Sequence, residues 1–293
     1  MTADILRIAL AQRPSVIGTQ TRDPRPQNLS TALRALGAAA ARGAQLVVFG
    51  EMFLTGLRTD EWLAKWAVRP HESSDRTLSS LSDACRRLGV AVLIGTATVD
   101  EQGICRNSVL LTDGSGRRSV YHKRHLAQIT LPDGYQANEL LYYSPGDAPG
   151  TFGTEWGRIG LQICYEVTFP EIARCSMLDG ADLIINCTAS IAGTEDLWTA
   201  MASTRAFENG TFFVACSVVG HQGPDEYFGG SAAYDPHGAC VAQAAYGAED
   251  LLVVEVPVEL SRRTRTDMNI IAARRPELYG ALAARTAEAS PSA

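Results

Sequence analysis

Apolar runs of strand length recur through this chain, most of them separated by a segment with helical spacing. Residues 5–11, Leu46–Phe49, 90–98, 159–163, 182–186 and 211–217 read as strands. Residues 27–42, 74–88, 170–179 and Glu195–Asn209 read as helices; in 74–88, Leu78, Leu81, Ala84, Cys85 and Leu88 share one face. Residues 108–112 and 118–122 form a hairpin around Asp113-Gly114-Ser115-Gly116. Residues 229–234, 239–244 and 251–256 read as antiparallel strands, with turns at Asp235-Pro236-His237-Gly238 and Gly247. Such a pattern predicts an α/β fold of mixed sheets covered by helices. There is no repeat and no linker, so the 293 residues are read as a single domain over 1–280, with a flexible Ala-, Ser- and Pro-rich tail over 281–293.

Charge and cysteine usage exclude several classes. A net charge of −6 without a long Lys/Arg run argues against nucleic acid or an anionic membrane surface as partner. No apolar run approaches the ~18 residues of a spanning helix, and residues 1–11 carry Asp4 and Arg7 rather than a leader pattern. The seven cysteines are scattered without a CxxC pair, which predicts a reducing, cytoplasmic setting and no metal site or cofactor. Apart from Cys164, they read as small core residues. Residues 125–150 have little periodicity and include Pro132, Pro145 and several glycines; a stretch this long inside a compact domain is usually functional.

Three ionisable residues each follow an apolar strand. Glu51 follows LVVF, Lys123 follows SVYH, and Cys164 follows IGLQI. A lone cysteine reads more often as a core residue, Glu51 alone as a solvated loop acid, and Lys123 alone as part of the basic patch His122-Lys123-Arg124-His125. Taken together they predict a site at the carboxyl ends of neighbouring strands along one sheet edge. A strand that turns into a helix at a cysteine presents the thiol while the strand holds the backbone. A free thiol of pKa ~8.5 is mostly protonated at neutral pH. A carboxylate beside it can take the proton, and an ammonium can stabilise the anion and then an oxyanion. His122 and His125 are read as structural or solvated.

These segments resemble the nitrilase superfamily, the carbon–nitrogen hydrolases, over nearly the whole chain. The resemblance rests on LVVFGEMFLTG (46–56), SVYHKRHL (119–126), GLQICYEVTFPE (160–171), RAFENGTFFVACSVVG (205–220), GGSAAYDPHGACVAQA (229–244) and ARRPELYG (273–280). It implies a four-layer α-β-β-α sandwich that dimerises through helix faces. It also implies Cys164 as nucleophile, Glu51 as general base, Lys123 as oxyanion stabiliser and the Tyr165 N–H as second oxyanion donor. NELLYYSPG (138–146) resembles the segment that bears a second glutamate, which makes Glu139 a positioning acid beside Lys123. Leu57 and Thr188 are expected at the substrate pocket.

The chain departs from the family pattern at three places. Gly50 stands where a proline is common, Leu57 where an aromatic is frequent, and Ser217 where an asparagine is often found. Tyr165-Glu166 resembles amidase-type members rather than nitrilases, which usually carry Trp-Glu. Val167-Thr168-Phe169 lacks the arginines that carbamoyl-amino-acid hydrolases place after the nucleophile, and Arg174 is expected in solvent or a salt bridge. The expected reaction is therefore hydrolysis of a small, neutral or cationic amide to a carboxylic acid and ammonia through a thioester. An N-carbamoyl amine or amino-acid hydrolase, a nitrilase, an acyltransferase and a non-catalytic scaffold are the alternatives. Asp225 and Glu226, on an expected loop, could attract an amine, although a solvated loop is the commoner reading.

Overall fold

A computed structural model describes residues 5–57, 63–72, 75–130, 134 and 136–284. The expected helix start at Ser74, Pro132 of the long loop, and positions 285–293 of the tail lie outside the described residues.

The chain opens with β1 (Ile5–Gln12), α1 (Arg25–Ala41) and β2 (Leu46–Phe49), followed by the single turn α2 (Leu63–Trp66), α3 (Arg76–Leu88) and β3 (Ala91–Val99). Next come β4 (Cys105–Thr112), β5 (Arg118–His122) and a small hairpin of β6 (Gln128–Thr130) and β7 (Gln136–Asn138). The second half runs through β8 (Thr151–Thr154), β9 (Gly157–Ile163), α4 (Pro170–Leu178), β10 (Leu183–Thr188), α5 (Glu195–Asn209) and β11 (Phe212–Ser217). It closes with the hairpin β12 (Val219–Gln222) and β13 (Asp225–Phe228), then β14 (Ala232–Tyr234), β15 (Cys240–Gln243), β16 (Asp250–Pro257) and α6 (Val258–Asp267).

Two six-stranded sheets result, ordered β16-β1-β2-β3-β4-β5 and β15-β14-β11-β10-β9-β8. Both are mixed. The strands β1, β2 and β3 run parallel to one another, as do β9, β10 and β11, and antiparallel strands flank each set. Side chains alternate across a strand, and here both faces are covered. Ile8 and Leu10 of β1 pack with Leu161, Ile185 and Val214 of the second sheet. Ala9 and Ala11 face Leu36 of α1 and Leu81 of α3. On the outer side of the second sheet, Ile184 and Phe213 meet Ala173 of α4 and Ala206 of α5. The layers are therefore α-β-β-α, as expected, and burial on both faces explains why runs such as LVVF lack alternation.

Three expectations are corrected, and one helix is added. Residues 125–150 are not structureless, since they hold the β6–β7 hairpin and a 3-10 turn at Glu139–Leu141. Asp225 and Glu226 lie in strand β13 rather than on a loop. Helix α6 was not legible because its inward face carries Ser261, Thr264 and Arg265, which show no apolar period; Arg265 pairs with Asp182 at 2.7 Å instead. Cys175 and Cys240 are exposed rather than core residues. At the start of the tail, Gly280–Ala283 forms a 3-10 turn.

Candidate active site

Glu51, Lys123 and Cys164 do meet, but not along one sheet edge. The strands β2 and β5 are separated by β3 and β4 in the first sheet, while β9 belongs to the second. The three strand exits converge because the sheets pack face to face. All three residues line one cavity of about 460 Å³, which also includes Glu139, Tyr165 and Leu57. This volume is typical of a site for a small ligand.

Lys123 is 1% exposed. Its Nζ lies 2.8 Å from Glu51 Oε1 and 2.8 Å from Glu139 Oε2. Asn107 Nδ2 donates to Glu51 Oε1 at 2.7 Å and to Glu139 Oε1 at 2.9 Å, so one amide bridges both acids. The Ala127 N–H donates to Glu139 Oε2 at 2.5 Å. The backbone of Lys123 is also fixed, with its N–H on the Asn107 carbonyl at 2.8 Å and its carbonyl accepting from Gly146 at 2.8 Å. Burial alone would favour a neutral amine, but the carboxylates of Glu139 and Glu51 outweigh it and hold the Lys123 pKa well above its usual value. Burial raises the Glu51 pKa, with Lys123 opposing and Glu139 reinforcing that rise.

Cys164 begins a 3-10 turn, Cys164–Thr168, between β9 and α4, and has a backbone φ of +46°. A non-glycine residue in that region costs on the order of 1 kcal/mol and persists only when its surroundings enforce it. The buried Asn186 of β10 supplies that enforcement. Its Oδ1 accepts from the Cys164 N–H at 2.8 Å, and its Nδ2 donates to the Cys164 carbonyl at 3.3 Å. Cys164 Sγ lies 3.8 Å from the Ala189 carbonyl. Burial, with the Glu51 carboxylate adding to it, pushes the thiol pKa up to about 12, while Lys123 opposes the shift. At neutral pH the resting group is therefore a neutral thiol.

Glu166 ties the Cys164 turn to the Lys123 segment. Its fully buried carboxylate accepts from the Ile163 N–H at 2.8 Å, the Arg124 N–H at 2.9 Å and the Tyr121 hydroxyl at 2.8 Å. Burial works to raise the Glu166 pKa, but hydrogen bonds from His125, Tyr121, Ile163 and Arg124 prevail and hold it below the usual carboxylate value. A carboxyl depressed in the folded state stabilises the fold above its unfolded pKa of ~4.3, and that contribution is lost as pH falls through the folded value. Melting temperature should therefore drop as pH is lowered below about 4.3. Glu166→Gln should flatten this acid limb and lower stability by about 1–3 kcal/mol at neutral pH. Thermal scans of both proteins from neutral to acid pH measure the difference.

The remaining expected residues divide. Tyr165 and Leu57 line the cavity, whereas Thr188 stands outside its lining and meets the Cys164 thiol through a side-chain hydrogen bond that opposes the rise of the thiol pKa. The Thr188 hydroxyl pairs with Ser190 Oγ at 3.0 Å, and its carbonyl accepts from the N–H groups of Glu51 and Val218, each at 3.1 Å. Its backbone thereby docks the Glu51 turn onto the second sheet. That docking explains the departure at Gly50, where a Cβ would lie 2.5 Å from the Val218 nitrogen and 2.8 Å from the Thr188 carbonyl oxygen. Ser217 is buried and accepts from the Ser190 N–H at 3.4 Å. His122 bonds Ser108 Oγ at 2.7 Å, and burial lowers its pKa to about 4, consistent with a structural role. Arg174 donates to the Glu208 carbonyl at 2.6 Å and does not line the cavity.

Asn107 and Asn186 were missed, although each left a signal. An asparagine inside an apolar strand run (CRNSVLLT, LIINCT) is a poor strand former that needs a buried polar partner. Among the described residues, no group of three or more His, Cys, Asp or Glu side chains is arranged to hold a metal ion.

A half-buried cysteine on a strained strand-to-helix turn, beside a buried Glu–Lys–Glu cluster in an α-β-β-α sandwich, defines a thiol-dependent hydrolase of the nitrilase type. Residues 7–266 match the model of the carbon-nitrogen hydrolase family, and the chain belongs to that family. It is 33% identical over 256 residues to an (R)-stereoselective amidase of Pseudomonas sp., covering 86% of this chain and 87% of that protein. It is 29% identical over 241 residues to the omega-amidase NIT3 of Saccharomyces cerevisiae, covering 80% and 82% respectively. The structure of a mutant of the Nesterenkonia AN1 amidase, from the nitrilase superfamily, superposes with a TM-score of 0.79 at 25% identity, covering 94% of this chain and 97% of that one. The protein is an amidase-type carbon–nitrogen hydrolase.

Proposed function

We propose that the protein hydrolyses a small, non-anionic carboxamide to a carboxylic acid and ammonia, with Cys164 as nucleophile, Glu51 as proton carrier, Lys123 as oxyanion stabiliser and Glu139 as the acid that positions Lys123. The observation that carries this reading is the placement of Lys123 between two buried carboxylates beside a neutral thiol. Glu51 accepts the thiol proton as Sγ bonds to the amide carbon. The oxyanion is held by Lys123 and by the Tyr165 N–H, which lies at the start of a 3-10 turn where N–H groups lack intrahelical partners. The C–N bond then breaks, the leaving nitrogen takes the proton from Glu51, and a thioester remains. Glu51 next removes a proton from water, whose oxygen adds to the thioester carbon. The C–S bond breaks, the sulfur regains its proton and the acid departs.

Tyr165 and Leu57 form part of the substrate pocket in this reading. A panel of small amides, nitriles and N-carbamoyl compounds, assayed for ammonia, tests it together with intact mass of the protein during turnover. Ammonia from amides and an acyl adduct on Cys164 are expected; ammonia from nitriles alone would overturn the amide assignment.

We also infer pairing with a second copy through helix faces, supported by exposed Leu178 and Phe207 on α4 and α5; a monomer mass by light scattering would refute it. The single-domain boundary at 280 and a cytoplasmic setting belong to the same reading. All seven cysteines are free, and no helix among the described residues is long and apolar enough to cross a membrane. Limited proteolysis that cleaved first within 7–266 would count against the boundary, and recovery in a membrane or secreted fraction against the setting.

A further inference from the structure

The charged side chains among the described residues of the reaction cavity are Glu51, Lys123, Glu139 and Asp225. Lys123 is already held by Glu51 and Glu139, each at 2.8 Å. Asp225 is different. It stands half-buried in the same cavity wall, and no hydrogen bond or ion pair to its carboxylate is found among the described residues. Its neighbour Glu226 points elsewhere, being exposed and 3.9 Å from His221.

The Asp225 backbone is firmly placed. In the β12–β13 hairpin it pairs with Gln222. Gln222 Oε1 accepts from the Leu57 N–H at 2.7 Å, and its Nε2 donates to Ser15 Oγ at 2.8 Å. The hairpin is also joined to the segment after β10, since the Ala192 N–H donates to the Glu226 carbonyl at 2.9 Å and Ile191 bridges Tyr227. That segment carries the Ala189 carbonyl against Cys164 Sγ. Asp225 is therefore fixed relative to the nucleophile. The lining also includes Ile129, Leu197 and Met201, which suit a methylene chain.

We propose that Asp225 is a specificity-determining residue that receives a cation, so that the preferred substrate is an aliphatic carboxamide bearing a protonated amine. This rests on the amide-hydrolase reading above. Among the described residues, three acids facing one already paired ammonium give the cavity a negative balance, which favours cationic and disfavours anionic ligands. Burial raises the Asp225 pKa, as expected for a carboxylate whose charge no neighbour offsets.

The test compares 4-aminobutanamide, its neutral isostere pentanamide, and the anion succinamate. For the wild-type protein, kcat/KM should favour the cation over the neutral amide by about tenfold, with the anion slowest and the preference weakening as salt is raised. Asp225→Asn should bring the cation-to-neutral ratio near one, while Asp225→Glu should retain a preference. Using the ratio cancels any loss of active enzyme. Calorimetric binding of the same three compounds to Cys164→Ala reads the subsite without turnover. A wild-type protein that does not prefer the cation, or an Asp225→Asn ratio equal to that of wild type, would overturn the assignment. Absence of ammonia from all three compounds counts against the amidase reading instead, and the binding order to Cys164→Ala still decides the role of Asp225.

Discussion

Cys164→Ala is expected to reduce ammonia release by about 10⁴-fold or more while leaving the protein folded. Loss of a nucleophile removes the covalent route entirely, and comparable changes in hydrolases that form acyl intermediates cost on the order of 10⁶-fold in kcat. The fold should survive because the site requires little of the sulfur. Cys164 has a 3.8 Å contact to a carbonyl, and its strained backbone is held by Asn186 rather than by its own side chain. Parallel measurement of turnover, intact mass and melting temperature checks this. Turnover within tenfold of wild type, or an acyl adduct that persists in the variant, would sink the nucleophile assignment.

Lys123→Met should damage both chemistry and stability. The substitution leaves Glu51 and Glu139 buried together without a cation. Removing one partner of a buried ionic cluster typically costs about 3–5 kcal/mol, which corresponds here to a fall in melting temperature of roughly 10 °C. Turnover should fall at least about 10²- to 10³-fold, the usual loss on removing an oxyanion donor. A second substitution separates the two effects. Adding Glu139→Gln to Lys123→Met removes one stranded charge and should recover part of the stability while restoring none of the activity. Denaturant unfolding and ammonia release, measured on the same preparations, give both values. Full activity of the single variant would remove Lys123 from the mechanism.

Both predictions rest on residues that local sequence could reveal. Glu51, Lys123 and Cys164 each end an apolar run, because a charged group that must face a cavity sits where a buried strand stops. Glu139 was legible only through the resemblance of its segment. The groups that hold them were not. Asn107 reaches across 56 positions to Glu51, and Glu166 across 42 to Arg124. Such partners are set by which strands pack together, a property that no local window contains. Thr188 shows the same limit from the other side. Its strand runs on to Thr188 rather than stopping at Asn186, its hydroxyl pairs with Ser190, its backbone docks the Glu51 turn and its side chain meets the Cys164 thiol.

The sequence by itself determined the layered α/β architecture, since strand-length apolar runs separated by helices have few ways to bury both faces. It also singled out Glu51, Lys123 and Cys164, because each follows an apolar strand. Only the tertiary structure decided that these exits converge from two sheets, that Gly50 must lack a side chain, and that Asp225 stands in the reaction cavity while Thr188 does not. Those outcomes depend on strand register and on sheet-to-sheet packing, where a shift of one residue turns a side chain to the opposite face.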